Sequence, residues 1–199
     1  MKKALILFFL GLTLFNFYGC SSCGCHEEGM TYIPVDVLEK AHAVVASKTG
    51  VDFFKNHVRL NQELTVRRPT MYEFHYILTY PGLINYPQKI TFMTDTLGNL
   101  LEKFAVTGIP ECSSDPALCE IKVNDSAALE TARKSGMGEG VREPRIELVW
   151  SAEYSRHVWE IYSYEQYSQG SQGFRGKGKL FRIDPYSGTV LAKEEWKVL

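Results

Sequence analysis

The sequence predicts an α+β protein made of two helix-plus-antiparallel-sheet units. Three observations lead there. From Val35 to about Gly108 the chain reads helix, strand, strand, strand, and the same order returns from Asp125 to Leu199, about ninety positions later. The strand segments alternate apolar and polar residues with period two, and the helical segments space their apolar residues at three and four. Each half closes on a hairpin in which a strand reaches an Asp, turns through a Gly, and leaves as another strand.

The first helix is expected from Val35 to Lys48, with Leu38, Ala41 and Val45 facing inward and Thr49-Gly50 ending it. Strand-like alternation follows at Val58 and Leu60, then at Leu64 and Val66. A longer strand carries Tyr72, Phe74, Tyr76, Leu78 and Tyr80 on one face. The closing hairpin runs from Lys89 through Asp95 and Gly98 into a strand over Leu100 to Val106. In the second half, Asp125 or Ser126 is the expected N-cap of a helix with Ala128, Leu129 and Ala132 inward, ending at Lys134-Ser135-Gly136. Ile146, Leu148 and Trp150 mark the next strand. Val158, Tyr162 and Tyr164 then alternate with Trp159 and Ile161, a strand apolar on both faces and therefore covered on both. The last hairpin runs from Lys179 through Asp184 and Gly188 to Thr189–Trp196.

The chain has 199 residues, 45% of them apolar and 13% aromatic, with a formal net charge of −1. That balance carries no basic excess for nucleic acid and no sign of disorder. Lys2 and Lys3 precede an almost wholly apolar run from Ala4 to Phe17, too short for a permanent bilayer span. The run ends in Phe17-Tyr18-Gly19-Cys20, which resembles a bacterial lipobox, although Phe17 and Tyr18 depart from its usual Leu-Ala/Ser pattern. That resemblance implies residues 1–19 are a cleaved signal and Cys20 takes diacylglycerol and a further acyl chain such as palmitate. The plain alternative is a cleaved signal with Cys20 left free. Residues 20–34 read as a polar tether, and Ser21 in place of an inner-membrane-retaining Asp favours the outer membrane of the cell envelope, on its periplasmic side or at the cell surface.

Of the remaining cysteines, Cys112 and Cys119 look like a self-closed loop, with Asp115-Pro116 making the turn inside a 109–124 linker. Cys23-Gly24-Cys25-His26 is the one cluster with metal-ligand chemistry, but it lacks a fourth ligand and supporting partners. A local disulfide, or pairing with another chain, is the plainer reading.

The segments Ala127-Ala-Leu-Glu-Thr-Ala-Arg-Lys134, Val158-Trp-Glu-Ile-Tyr162 and Gly178-Lys-Leu-Phe-Arg-Ile-Asp-Pro-Tyr-Ser-Gly-Thr-Val-Leu191 resemble the PepSY family across nearly all of 125–199. The unit 35–108 shares only the helix and the Asp-x-x-Gly hairpin. The resemblance implies a broadly cystatin-like helix on a sheet and a role outside the cytoplasm, often as an inhibitory or chaperoning segment near peptidases. It implies no catalytic residue and no cofactor; Asp184 and Gly188 transfer as turn-formers.

Gly170-Ser-Gln-Gly173-Phe-Arg-Gly176-Lys-Gly178-Lys179 fails phosphate-loop spacing, because Ser171 stands where a Gly is needed and a strand follows instead of a helix. It is expected to be a flexible hairpin loop. Tyr162, Tyr164 and Tyr167, with Tyr154, are the candidate binding surface, for glycan or peptide stacking. His42, His57, His75 and His157 fall on separate elements, and Glu139, Glu143 and Glu147 have no pairing context. The expected function is therefore non-enzymatic: a membrane-tethered module whose partner is a peptidase or another envelope protein, or a surface lipoprotein recognising glycan or peptide.

Overall fold

The computed structural model describes residues 32–170 and 173–198, so the signal segment, Cys20, Cys23, Cys25 and His26 lie outside the described residues. Among the described residues the architecture is α+β, with three α-helices and two antiparallel sheets. Helix α1 spans Val35–Thr49 and buries Val37, Ala41 and Val45, four residues apart, with Leu38 only half-buried beside them. Gly50 ends it with φ of 85° and donates its N–H to Ala46 O at 2.9 Å.

A second helix, α2 (Val51–His57), follows at once and has no counterpart in the sequence expectation. Its β-branched and aromatic residues disguise it, and tertiary contacts supply its stability. Phe53 packs on His57 and Tyr80, and Phe54 on His42 and Tyr76.

The first sheet contains β1 (Val58–Leu60), β2 (Val66–Arg68), β3 (Met71–Leu78) and β4 (Gln88–Asp95). β1 and β2 share one edge of β3, interrupted by a turn between Asn61 and Thr65; β4 takes the other edge along its full length. Leu64 lies in that turn, not in a strand, and all three residues of β2 are exposed. β3 alternates as expected, with Tyr72, Phe74, Tyr76 and Leu78 buried and Tyr80 buried just beyond it.

The strand expected over Leu100–Val106 does not form. Asp95 closes the hairpin by accepting from the N–H groups of Leu97 and Asn99 at 2.9 and 2.8 Å, and Gly98 takes φ of 82°. The chain then folds into a turn at Leu101–Phe104 and meets β4 through the isolated bridges Thr94↔Leu100 and Thr91↔Thr107 and the Leu101 N–H, which donates to Met93 O at 2.9 Å.

Cys112 and Cys119 are bonded, with Cα atoms 5.5 Å apart, around a short 3₁₀ turn at Pro116–Cys119. Helix α3 (Asp125–Lys134) is capped by Asn124, whose side-chain oxygen accepts from Ala127 N at 2.9 Å. Neither Asp125 nor Ser126 is the cap, because Asn124 is the last residue with extended backbone and its amide oxygen takes the N–H of Ala127, the third residue of the helix.

The second sheet holds β5 (Arg145–Ser151), β6 (Arg156–Tyr162), β7 (Gln166–Gly170), β8 (Gly173–Ile183) and β9 (Val190–Val198). β6 and β7 share one edge of β8, joined by Ser163 N–H and Glu165 N–H bonds to Lys179 O and Lys177 O, and β9 lines the other edge. The Gly-rich segment is therefore regular strand from Gly173 onward, not a flexible loop.

The first half is two helices followed by an antiparallel sheet, the second one helix followed by an antiparallel sheet, and the two sheets are separate. Their apolar residues nonetheless form one core. Ala128 and Ala132, fully buried, let α3 sit close to the sheet under Trp159, Ile161, Phe181 and Ile183. The loop after β3 sends Tyr80, Leu83 and Tyr86 into the second half, where Tyr86 meets Trp159 edge-to-face at 4.9 Å and donates to Asp125 Oδ2 at 2.8 Å.

Two substitutions test these constraints. Replacing Cys112 and Cys119 together by Ser should lower unfolding free energy by about 2 kcal/mol, the closure entropy of so short a loop. Gly108, with φ of 81°, has no room for a side chain, since a Cβ would lie 2.0 Å from Lys89 O. Gly108→Ala should destabilise by at least about 2 kcal/mol in urea titration, combining left-handed strain with a backbone clash.

Candidate binding surface

The second sheet has two unlike faces because its residues alternate. The inner face carries Trp159, Ile161, Phe181 and Ile183 against α3. By register, the outer face carries Val158, Glu160 and Tyr162 on β6, Leu180 and Arg182 on β8, and Glu194 and Trp196 on β9. No described helix packs over that outer face: α3 lies against the inner one.

One half of the outer face is ionic. Glu160 accepts from Arg182 Nε at 2.9 Å and from the Tyr162 hydroxyl at 2.7 Å, and Arg182 reaches Glu194 as well. Arg145 pairs with Glu147 at 2.6 Å and lies 5.6 Å over the Tyr162 ring. Desolvation, reinforced by the Glu160 carboxylate, pushes the Tyr162 hydroxyl up to about 12, so it donates throughout the physiological range.

The other half is aromatic. Trp196 meets Tyr164 edge-to-face at 5.2 Å and Tyr162 at 6.4 Å. Tyr164 meets Tyr167 at 5.8 Å, and Tyr167 lies nearly parallel to Phe174, 21° apart with centroids 6.2 Å apart. The Arg142 guanidinium sits over both Tyr164 and Tyr167, at 4.7 and 4.4 Å. The three sequence-predicted tyrosines are thereby brought together, with unequal roles. Tyr164 is buried and supports the patch, Tyr162 is tied to Glu160, and Tyr167 faces solvent in part. Tyr154 stays apart, in the β5–β6 turn at the far end of the sheet.

Trp196, Phe174 and Arg142 were not singled out from the sequence. A signal was present in the glycines. Gly178 pairs with Trp196 across β8 and β9, and the indole crosses the strand there, donating from Nε1 to Ser163 O at 3.0 Å. A Cβ at Gly178 would fall 1.9 Å from Ser163 O and 3.1 Å from the indole nitrogen; one at Gly176 would fall 3.1 Å from the same ring. The Gly-x-Gly spacing therefore makes a bed for an indole, not a phosphate cradle.

The histidines do not converge. His75 pairs with Glu73 at 3.2 Å, His42 packs by Phe54 and Tyr76, and His57 lies on Phe53. His157 is fully buried, with Nδ1 2.8 Å from the Tyr80 hydroxyl and its ring against Trp150 at 5.2 Å, while Nε2 has no hydrogen-bond partner. Burial drives its pKa down to about 3, which keeps the imidazole neutral. Glu139 and Glu143 both rim an open depression of about 730 Å³ beside Arg133, and Glu147 is held by Arg145 instead. Among the described residues no three His, Cys, Asp or Glu side chains gather as a metal site, and no helix is long and apolar enough to cross a membrane.

No protein-family model, no curated protein and no solved structure matches this chain.

The buried histidine sets a pH dependence. An unfolded chain protonates His near pH 6.5, whereas folded His157 resists protonation down to about pH 3. The unfolded state therefore binds more protons in that window, and stability should fall by up to about 1.4 kcal/mol per pH unit as pH drops through it. Urea midpoints taken from pH 7 to pH 4 measure the slope, and His157→Phe should flatten it.

Proposed function

We propose that the protein is a non-enzymatic binding module, held at the membrane of a bacterial envelope by a lipid on Cys20. Its contact surface is the aromatic half of the second sheet's outer face. The observation that carries this reading is the grouping of Tyr162, Tyr164, Tyr167, Phe174 and Trp196 with Arg142 on a face that α3 leaves open. Trp, Tyr and Arg are the residues that dominate binding energy where proteins meet, since each gives large contact area and a polar handle. The partner is a segment of another envelope protein, and the PepSY resemblance makes a peptidase the first candidate, with the module acting as its inhibitor or escort.

Tyr167 and Phe174 are the right residues to test. Both sit at the solvent edge of the patch, whereas truncating Tyr164 would open the packing beneath it. Tyr167→Ala with Phe174→Ala should weaken capture of the enriched partner from envelope extract by roughly tenfold or more, the usual cost of losing such anchors. Unfolding free energy should change by less than about 1 kcal/mol. Undiminished capture by the double variant would remove this face from the function. The anchor is tested separately, by mass spectrometry of the mature amino terminus and by release of a Cys20→Ala variant from membranes.

Glycan recognition is the second reading, favoured by the near-parallel Tyr167 and Phe174 rings. An array showing sugar binding that the same double variant loses would select it over a protein partner.

A further inference from the structure

Beyond the end of α3, the inner face of the second sheet changes character. Lys179 Nζ and Lys193 Nζ first close the helix by donating to the carbonyls of Gly136 and Ser135, at 3.3 and 2.6 Å. Past them, three cations stand together with no element over them: Arg175 and Lys177 two apart on β8, and Lys197 on β9. With Gln166, Ser168, Tyr167 and Val198 they line a shallow open groove of about 330 Å³ at the hairpin tip.

Lys177 and Lys197 are direct cross-strand partners. Like charges in that position repel and destabilise the ribbon. None of the three cations forms a salt bridge among the described residues; the acids nearest them along the strands are Glu165, whose N–H donates to Lys177 O, and Glu195, opposite Lys179. In a chain of net charge −1, this concentration is local and is not inherited from composition. The tip also exposes two apolar side chains, 46% and 40% accessible: Phe174, on the side away from the cations, and Val198, at the rim of the groove itself. Cations flanked by exposed apolar side chains fit a surface that is anionic outside and apolar just beneath.

We infer that the β7–β8 tip, with the end of β9, is a second membrane contact that docks on anionic phospholipid headgroups through Arg175, Lys177 and Lys197. Gln166 and Ser168, the β7 partners of Lys177 and Arg175, flank the cations on the side away from Lys197 and supply neutral hydrogen bonds to the same phosphates. The contact turns the module to one orientation on the bilayer. It takes from the proposed function only that the chain works at a membrane.

The test uses residues 32–199, which contain the entire described core and lack Cys20, so its outcome is independent of lipidation. This fragment is sedimented with vesicles of phosphatidylcholine alone, or of phosphatidylcholine with phosphatidylglycerol. Binding to the anionic vesicles only, weakening as salt rises, is the expected result. Neutralising Arg175, Lys177 and Lys197 together by Gln should reduce partitioning roughly 100-fold. Lys177→Glu turns the like-charge pair into an opposite-charge pair, so it should weaken vesicle binding while leaving the melting temperature equal or higher. A merely structural role would move both readouts together. Equal binding to both vesicle types, binding unchanged by the triple substitution, or binding to soluble polyphosphate with none to vesicles would each overturn the inference. Failure here leaves the Cys20 anchor standing, since mass spectrometry decides that separately.

Discussion

Trp159 is the side chain on which both halves close. It is fully buried, its ring is met edge-on by Tyr86 from the first half, and its indole N–H donates to Val123 O at 2.7 Å in the segment leading into α3. A single residue thus fixes three elements: the loop leaving β3, the entry to α3, and the inner strand β6 of the second sheet. An aromatic of this size buries enough apolar surface to outweigh the ordering of that loop, and its one polar atom must be satisfied once water is excluded. The small face of α3 follows from it, because only Ala128 and Ala132 leave room for the sheet and its indole. The buried Tyr80 and His157 pair lies along the same seam.

The legible parts of the fold were those with local causes. Period-two alternation gives β3 and β6, and an Asp that caps its own turn beside a Gly with positive φ gives both closing turns. The illegible parts have distant causes. Helix α2 is seven residues of mixed propensity held by Tyr76 and Tyr80, which lie some twenty positions away. The missing strand after Gly98 depends on how Leu101–Phe104 folds back against Met93. Asn124 took the capping role from its neighbours because one backbone dihedral, invisible in sequence, decides where extended chain becomes helix.

The candidate surface was half legible for the same reason. Tyr162, Tyr164 and Tyr167 are close in sequence, so they could be named together. Trp196 is some thirty positions from them and joins only through the pairing of β8 with β9. The glycines of β8 were conspicuous, but their meaning lay in what crosses over them. One strand therefore serves two chemistries: its glycine side seats an aromatic cluster, and its cationic side, set by the same alternation, stays polar and open. A one-residue slip of β9 against β8 would carry Trp196 onto the cationic face and Lys197 onto the aromatic one, so the character of both faces depends on that register.

The connection between the halves is fastened at both ends. Ser113 N–H donates to Lys48 O at the end of α1, and the N–H groups of Lys122 and Val123 both donate to Pro185 O in the last hairpin turn. With the Cys112–Cys119 bond between those fixed points, a protease cutting within that loop would sever the chain without separating its pieces. Such a cut would leave two covalently stitched fragments, each still pinned by the hydrogen bonds at its end of the connection.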